Sequence, residues 1–187
     1  VDKTRINLKD LILQACGEFE ERAEAIGLEF RISSDGNVFV EADGKHMWRI
    51  YENLLSNVIK YAMPNSRVYI DIYEDRNFGT MIMKNVSHDE IKVNVENLAE
   101  RFTRGDSSRT TEGSGLGLSI AKSLTVLQGG KFGLSVDGDM FKVKIDMPAW
   151  KEHTDEKESE IKVVMPESSN KKFKISPRRA PGKEAIR

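Results

Sequence analysis

The sequence predicts an α/β domain, and three observations predict it. Apolar residues recur at three- and four-residue spacing over 7–25, 45–63 and 115–128, the period of a helix with one buried face. Between and after these stretches lie short runs in which apolar and polar residues alternate, the period of a half-buried strand. The third helical run is introduced by Gly113-Ser114-Gly115-Leu116-Gly117-Leu118, where alternate glycines leave the backbone bare.

Taken in order, the first helix covers 7–25, with Asn7 as its N-cap and Leu8, Leu11, Ile12, Ala15 and Phe19 as its apolar stripe; Gly27 ends it. Leu28-Glu29-Phe30-Arg31-Ile32 and Val38-Phe39-Val40 flank the turn-forming Ser33-Ser34-Asp35-Gly36-Asn37, and read as a hairpin or as two adjacent strands. Asp43-Gly44 leads into the second helix, 45–63, whose core stripe is Met47, Tyr51, Leu54, Leu55, Val58 and Ala62. Pro64-Asn65-Ser66 breaks it. Two alternating runs, 67–73 and 80–83, are joined by a turn around Asn77-Phe78-Gly79 and predict an antiparallel pair. From Lys84 to Gly113 the pattern is irregular, apart from a short helical hint over 93–102; a connection this long inside a compact domain points to a functional lid. The third helix, 115–128, carries Leu118, Ile120, Ala121, Leu124 and Leu127 on its apolar stripe and stops at Gly129-Gly130. Strands over 131–136 and 140–147, joined by Asp137-Gly138-Asp139, complete the sheet.

The second helix has another stripe beside its apolar one. Arg49, Asn53, Asn57, Lys60 and Tyr61 fall on successive turns of one surface. Asn is a poor helix former because its side chain competes with the backbone, so two asparagines beside a lysine point to ligand contacts, with a solvated polar face as the plainer reading. The glycine stretch points to phosphate: backbone N–H groups can approach a ligand closely there, and the helix that follows presents its positive end. Two better-known phosphate loops are excluded. The dinucleotide fingerprint needs G-x-G-x-x-G directly after a strand, whereas here the spacing is G-x-G-x-G after a charged segment. A Walker A loop needs Gly-Lys followed by Ser or Thr, and Gly130-Lys131 is followed by Phe132.

Composition bounds the rest. A chain of 187 residues with 39% hydrophobic residues can fill one core and carry a tail. Charged residues make up 32% but leave a net charge of −1, so no global field favours nucleic acid or a membrane. The single Cys16 cannot form an internal disulfide, which fits a reducing, cytoplasmic compartment. No apolar run has the length of a membrane span, and Val1-Asp2-Lys3-Thr4 does not look like a signal peptide; any membrane anchor is expected outside this chain. The sequence divides into a domain over 1–148 and a charged tail over 149–187, dense in acidic residues over 151–160 and basic at its end through Lys171, Lys172, Lys174, Arg178, Arg179, Lys183 and Arg187. The tail reads as solvated; docking onto an acidic partner or an anionic lipid surface is the weaker reading.

Three segments read together resemble a known family. Arg49 to Ala62 with Asn53, Asn57, Lys60 and Tyr61, the segment Glu100-Arg101-Phe102-Thr103-Arg104-Gly105-Asp106 to Arg109, and Gly113 to Leu118 resemble the N box, F box and second glycine box of the catalytic ATP-binding domain of bacterial sensor histidine kinases, in the GHKL superfamily. The likeness runs from about Asn7 to Pro148. It implies a two-layer sandwich of a mixed, mostly antiparallel sheet on about three helices, the Bergerat-type ATP-binding fold, with ATP held under a lid. By motif position, Asn57 becomes the Mg²⁺ ligand, a carboxamide oxygen suiting a hard cation. Asn53 and Lys60 contact the phosphates or the metal's waters, Tyr61 packs beside the adenine and ribose, and Gly113, Gly115, Leu116, Gly117 and Leu118 line the phosphates. Phe102 anchors the lid, with Arg104 and Arg109 as phosphate neighbours.

The first glycine box departs from the family. Asn85 stands where an Asp ordinarily accepts a hydrogen bond from the adenine amino group, and Ser87 and Asp89 replace the two glycines that follow. Asn85 can still accept, without charge. Hydrolytic members of the superfamily carry a Glu where Asn53 stands; a carboxamide cannot serve as a general base, so the resemblance implies a kinase that holds ATP until a histidine on a separate dimerisation domain is presented, with a response regulator downstream. A nucleotide-responsive, non-catalytic interaction module is the alternative, and a GHKL-type ATPase a weaker one. His46, His88 and His153 match no phospho-acceptor pattern and read as ordinary surface or loop residues. The chain then corresponds to the catalytic part of a larger, membrane-anchored receptor.

Overall fold

A computed structural model of the chain describes residues 1–89 and 116–151. Its elements are β1 (Thr4–Asn7), α1 (Leu8–Glu24), β2 (Glu29–Ser34), β3 (Phe39–Ala42), α2 (Gly44–Tyr61), β4 (Arg67–Asp75), β5 (Phe78–Val86), α3 (Gly117–Leu127), β6 (Lys131–Asp137) and β7 (Met140–Pro148). Five strands form a mixed sheet in the order β2-β4-β5-β7-β6, parallel between β2 and β4 and antiparallel elsewhere. β1 and β3 form a separate antiparallel pair. The two-layer α/β architecture is the one the sequence implies.

Alternation in the central strands builds the core. Val68, Ile70 and Ile72 of β4, Met81 and Met83 of β5, and Val143, Ile145 and Met147 of β7 share the buried face of the sheet. Against them pack Leu8, Ile12 and Phe19 of α1, Met47, Tyr51, Leu54, Leu55 and Val58 of α2, and Leu118 and Ala121 of α3, in one cluster. Each fully buried Leu or Ile contributes about 1.5–3 kcal/mol through area removed from water. Cys16 is fully buried in this cluster, and desolvation pushes its thiol up to about 12. Among the described residues no helix is long and apolar enough to cross a membrane.

Helix ends follow their local chemistry. Asn7 caps α1 by accepting from Lys9 N–H. Asp43 caps α2 by accepting from Lys45 and His46 N–H groups at 3.0 and 3.2 Å. α3 ends ahead of Gly129, whose φ of +84° is the left-handed conformation that closes a helix.

Several elements depart from expectation. β2 and β3 are neither a hairpin nor neighbours: β2 pairs with β4 across the α2 crossover, and β3 pairs with β1, a four-residue strand whose sequence shows no alternation. The turn between β4 and β5 lies at Arg76-Asn77, so Phe78 and Gly79 belong to β5. β5 continues to Val86, taking in Lys84 and Asn85 where the pattern looked irregular. On α3, Leu127 is exposed, and Thr125 and Gln128 are buried in its stead. Their polar atoms are bonded: Thr125 Oγ1 donates to Ala121 O at 2.7 Å, and Gln128 accepts from Asp43 N–H at 2.8 Å. β7 leads into Ala149 and Trp150, whose N–H groups donate to Asn77 O and Phe39 O, so the chain stays on the body through Trp150.

Candidate functional site

The polar stripe of α2 comes first. Its core face turns Asn53, Asn57, Lys60 and Tyr61 outward along successive turns, Asn53 and Asn57 half-buried, Lys60 and Tyr61 exposed. Asn53 Nδ2 donates to Arg49 O one turn back, at 2.6 Å. That bond consumes a donor and turns the oxygen of the carboxamide outward. Asn57 has no side-chain hydrogen bond within the described residues. Lys60 Nζ lies 5.1 Å from the centroid of the Tyr61 ring, within cation–π reach.

The second component is the N-terminus of α3. Its first N–H groups have no intrahelical acceptor, and the residue ahead of the helix is Leu116, which has no side-chain oxygen to cap them. The Ser119 hydroxyl donates to Leu116 O at 2.8 Å. Leu116 is 45% exposed, and Leu118 is buried as the helix's anchor. Among the described residues no side chain caps this positive helix end, and such an end attracts a phosphate.

These two components touch. A Cβ built on Gly117 would lie 3.3 Å from Asn53 Oδ1 and 3.7 Å from Asn53 O. A methyl group at 117 would press on the Asn53 carboxamide, which would have to give by a few tenths of an ångström. Among the described residues, the asparagine stripe of α2 and the start of α3 thus meet at Asn53 and Gly117.

The third component is the end of β5. Asn85 is 3% exposed, on the sheet face beneath the helices, and its Nδ2 donates to Val86 O at 3.2 Å, which leaves Oδ1 as the acceptor. The strand end is stitched to the end of α2: Met63 N–H donates to Val86 O, His88 N–H donates to Tyr61 O, and Ala62 bridges Ser87. Asn85 is thus held on the same end of α2 as Tyr61. The substituted first glycine box is an extension of the strand, with Ser87 N–H donating to Asp139 O at 2.7 Å. Sequence reasoning missed this seam, because backbone bonds between β5 and α2 leave no side-chain signature; His88, read as an ordinary surface or loop residue, is exposed and joins the seam only through its backbone N–H. Phe102, Arg104, Arg109, Gly113 and Gly115 lie outside the described residues.

Residues 42–169 match the model of the family described as histidine kinase-, DNA gyrase B- and HSP90-like ATPase. A relative from Escherichia coli, the probable sensor protein PcoS, is 33% identical over 151 residues, which cover 79% of this chain and 32% of PcoS. The chain therefore spans about a third of the length of that relative. Among solved structures, the catalytic domain of histidine kinase ThkA superposes with a TM-score of 0.69 at 25% identity, covering 79% of this chain and 96% of that one. A further structure, of ThkA in complex with the response regulator protein TrrA, superposes with a TM-score of 0.64 at 23% identity, covering 78% and 41%. With the family's model spanning both helices of the site and a whole kinase catalytic domain overlying the sheet, the chain belongs to the histidine kinase-, DNA gyrase B- and HSP90-like ATPases, as an ATP-binding catalytic domain of the sensor histidine kinase kind.

Proposed function

We propose that this domain binds ATP with Mg²⁺ between α2 and the N-terminus of α3 and donates the γ-phosphoryl group to a histidine on a separate dimerisation domain. The observation that carries the reading is the approach of Asn53 to Gly117, which sets the Asn53 carboxamide oxygen beside a helix end that no described side chain caps. The residues present fit the group: neutral oxygen donors suit a hard cation that also takes phosphate oxygens, and the free N–H groups suit the phosphates. In this reading Asn57 holds Mg²⁺, Asn53 and Lys60 hold phosphate oxygens, Tyr61 flanks the base, and Asn85 accepts from the exocyclic amine of adenine. Phe102, Arg104, Arg109, Gly113 and Gly115 retain the lid and phosphate roles implied by motif position. The bound cation supplies charge neutralisation. The chain itself contributes orientation, and Asn53, which cannot take a proton at neutral pH, leaves no base for water at its position. That favours transfer to a presented histidine over steady hydrolysis.

On the same reading, the partners are the protein's own dimerisation and phosphotransfer domain and then a response regulator, the partner class seen with ThkA. The whole protein is proposed to be a membrane-anchored receptor with this domain in the cytoplasm, and 149–187 a charged extension of the 1–148 body.

Calorimetric titration with a non-hydrolysable ATP analogue tests the site. We expect binding that strengthens with Mg²⁺, and for Asn57→Ala a loss of that Mg²⁺-dependent increment, about 10–100-fold in affinity, as for loss of other ligand-orienting groups. Absence of binding at millimolar nucleotide would overturn the reading. Steady phosphate release by the chain alone would favour an ATPase instead.

A further inference from the structure

The site is built where two helices meet, so whatever fixes their spacing and register fixes the site. α2 and α3 run side by side in opposite directions: Asp43, at the start of α2, lies against Gln128, at the end of α3, while Asn53 lies against Gly117. Ten residue steps separate Asp43 from Asn53, and eleven separate Gly117 from Gln128. At about 1.5 Å per residue these are spans of about 15 and about 16.5 Å, so the two contacts bracket lengths of the pair that agree to within one residue's rise.

The far contact is specific. Gln128 is fully buried, its Oε1 accepts from Asp43 N–H at 2.8 Å, and its Nε2 donates to Leu124 O at 2.9 Å. Both functions of the carboxamide are used: the oxygen on the start of α2, the nitrogen on α3 and, at 3.9 Å, on Met47 Sδ of α2. Asp43 is itself anchored: Oδ1 accepts from Lys45 and His46 N–H groups, and Oδ2 accepts from Asp2 N–H at 2.9 Å, with His46 Nδ1 3.5 Å away. Apolar packing between helices tolerates small axial sliding, because methyl groups have no direction. A buried hydrogen bond to a backbone N–H does not, since a shift would leave a buried donor unpaired.

We propose that Gln128 is a positioning residue for the phosphate end of the nucleotide site: by tying the end of α3 to the start of α2, it sets the register in which Gly117 and the free N–H groups of α3 face Asn53. It touches neither nucleotide nor metal. The inference rests on the proposed ATP site, and it separates the two halves of that site, because Asn85 and Tyr61 are tied to α2 and β5 and not to α3.

The test compares affinities for a non-hydrolysable ATP analogue with Mg²⁺ and for adenosine, in the 187-residue chain, alongside thermal unfolding. In Gln128→Met, which keeps volume and loses the acceptor, ATP-analogue affinity should fall about tenfold while adenosine affinity stays within about twofold. Gln128→Glu, entering the core as a neutral acid because burial raises its pKa, keeps an acceptor for Asp43 N–H and a donor for Leu124 O. It should hold the ratio of the two affinities within about threefold of the parent value even if its unfolding temperature falls further than that of Gln128→Met. Should Gln128→Met fail to fold, the ratio in Gln128→Glu decides alone. Equal weakening of both ligands in Gln128→Met would show that Gln128 only stabilises the fold, and a collapsed ratio in Gln128→Glu would show that the bond to Asp43 N–H does not set the register; either result overturns the proposal. A parent chain that binds neither ligand overturns the ATP site itself, and this inference with it.

Discussion

The two helices that frame the site begin in opposite ways. α2 starts from Asp43, whose carboxylate closes the helix end by accepting from two N–H groups and takes a third from Asp2. α3 starts from Leu116, which has no side-chain group to cap its N–H groups. Both lie in the same layer, and a capping Ser, Asp or Asn is worth about 1 kcal/mol wherever it is placed. On the proposed reading the difference is functional: one end is finished by the fold, and the other takes the nucleotide's phosphates. It also separates the residues whose loss should unfold the chain from those whose loss should only empty it.

The largest effect is expected at the closed end. Asp43→Ala should destabilise by about 2 kcal/mol, the upper part of the N-cap range, because one side chain serves several donors, and denaturant unfolding measures it. The hydrogen bond from Asp2 N–H, with those of His46 and Lys45 and the charge of His46, holds the Asp43 carboxyl below its ordinary value of 3.8. A depressed native pKa means stability that is complete above the ordinary value and drains away as pH falls through the native one. The gap between wild type and Asp43→Ala should thus be constant at neutral pH and narrow in acid below about pH 4. A gap that widens on acidification would contradict this.

At the open end a carboxylate should do the reverse. Leu116→Asp adds a charge favourable to the helix end, worth about 0.5–1 kcal/mol in stability, while repelling the ligand proposed for it. ATP-analogue affinity should fall about tenfold, or about 1.4 kcal/mol, and rise again in high salt as the charge is screened. Unchanged affinity would mean that phosphate does not use this end.

The smallest effect falls where the two ends are joined. Gly117→Ala raises helix propensity by about 1 kcal/mol, but its new methyl meets Asn53 Oδ1 at 3.3 Å, and the Asn53 carboxamide is held by Arg49 O. The expected outcome is a slightly higher unfolding temperature with about fivefold weaker ATP binding, close to 1 kcal/mol. Loss of stability instead would place the strain in the backbone of α2.

The helices and the central antiparallel strands were legible because their periodicity is local. The asparagine stripe was legible for the same reason, since Asn53 and Asn57 repeat on one face. Partners distant in sequence were not: alternation in 28–32 marks a strand but says nothing of β4 as its neighbour, and β1 is too short to alternate. The polar end of α3 was misread because Leu127 fits an apolar stripe as well as Gln128 fits a surface, until the bond to Asp43, formed across the fold, shows which of them faces inward. Asn85 was assigned by likeness alone; that it lies in β5, with its donor occupied, could only come from strand register.

One feature of the core reaches beyond the site. Thiol reagents attack the thiolate, and Cys16, sealed inside the helix layer and kept protonated, offers almost none at neutral pH. As the chain's only sulfhydryl, it should stay silent toward maleimide in the native protein and be labelled when the interior opens, which supplies an intrinsic gauge of unfolding without any engineered probe.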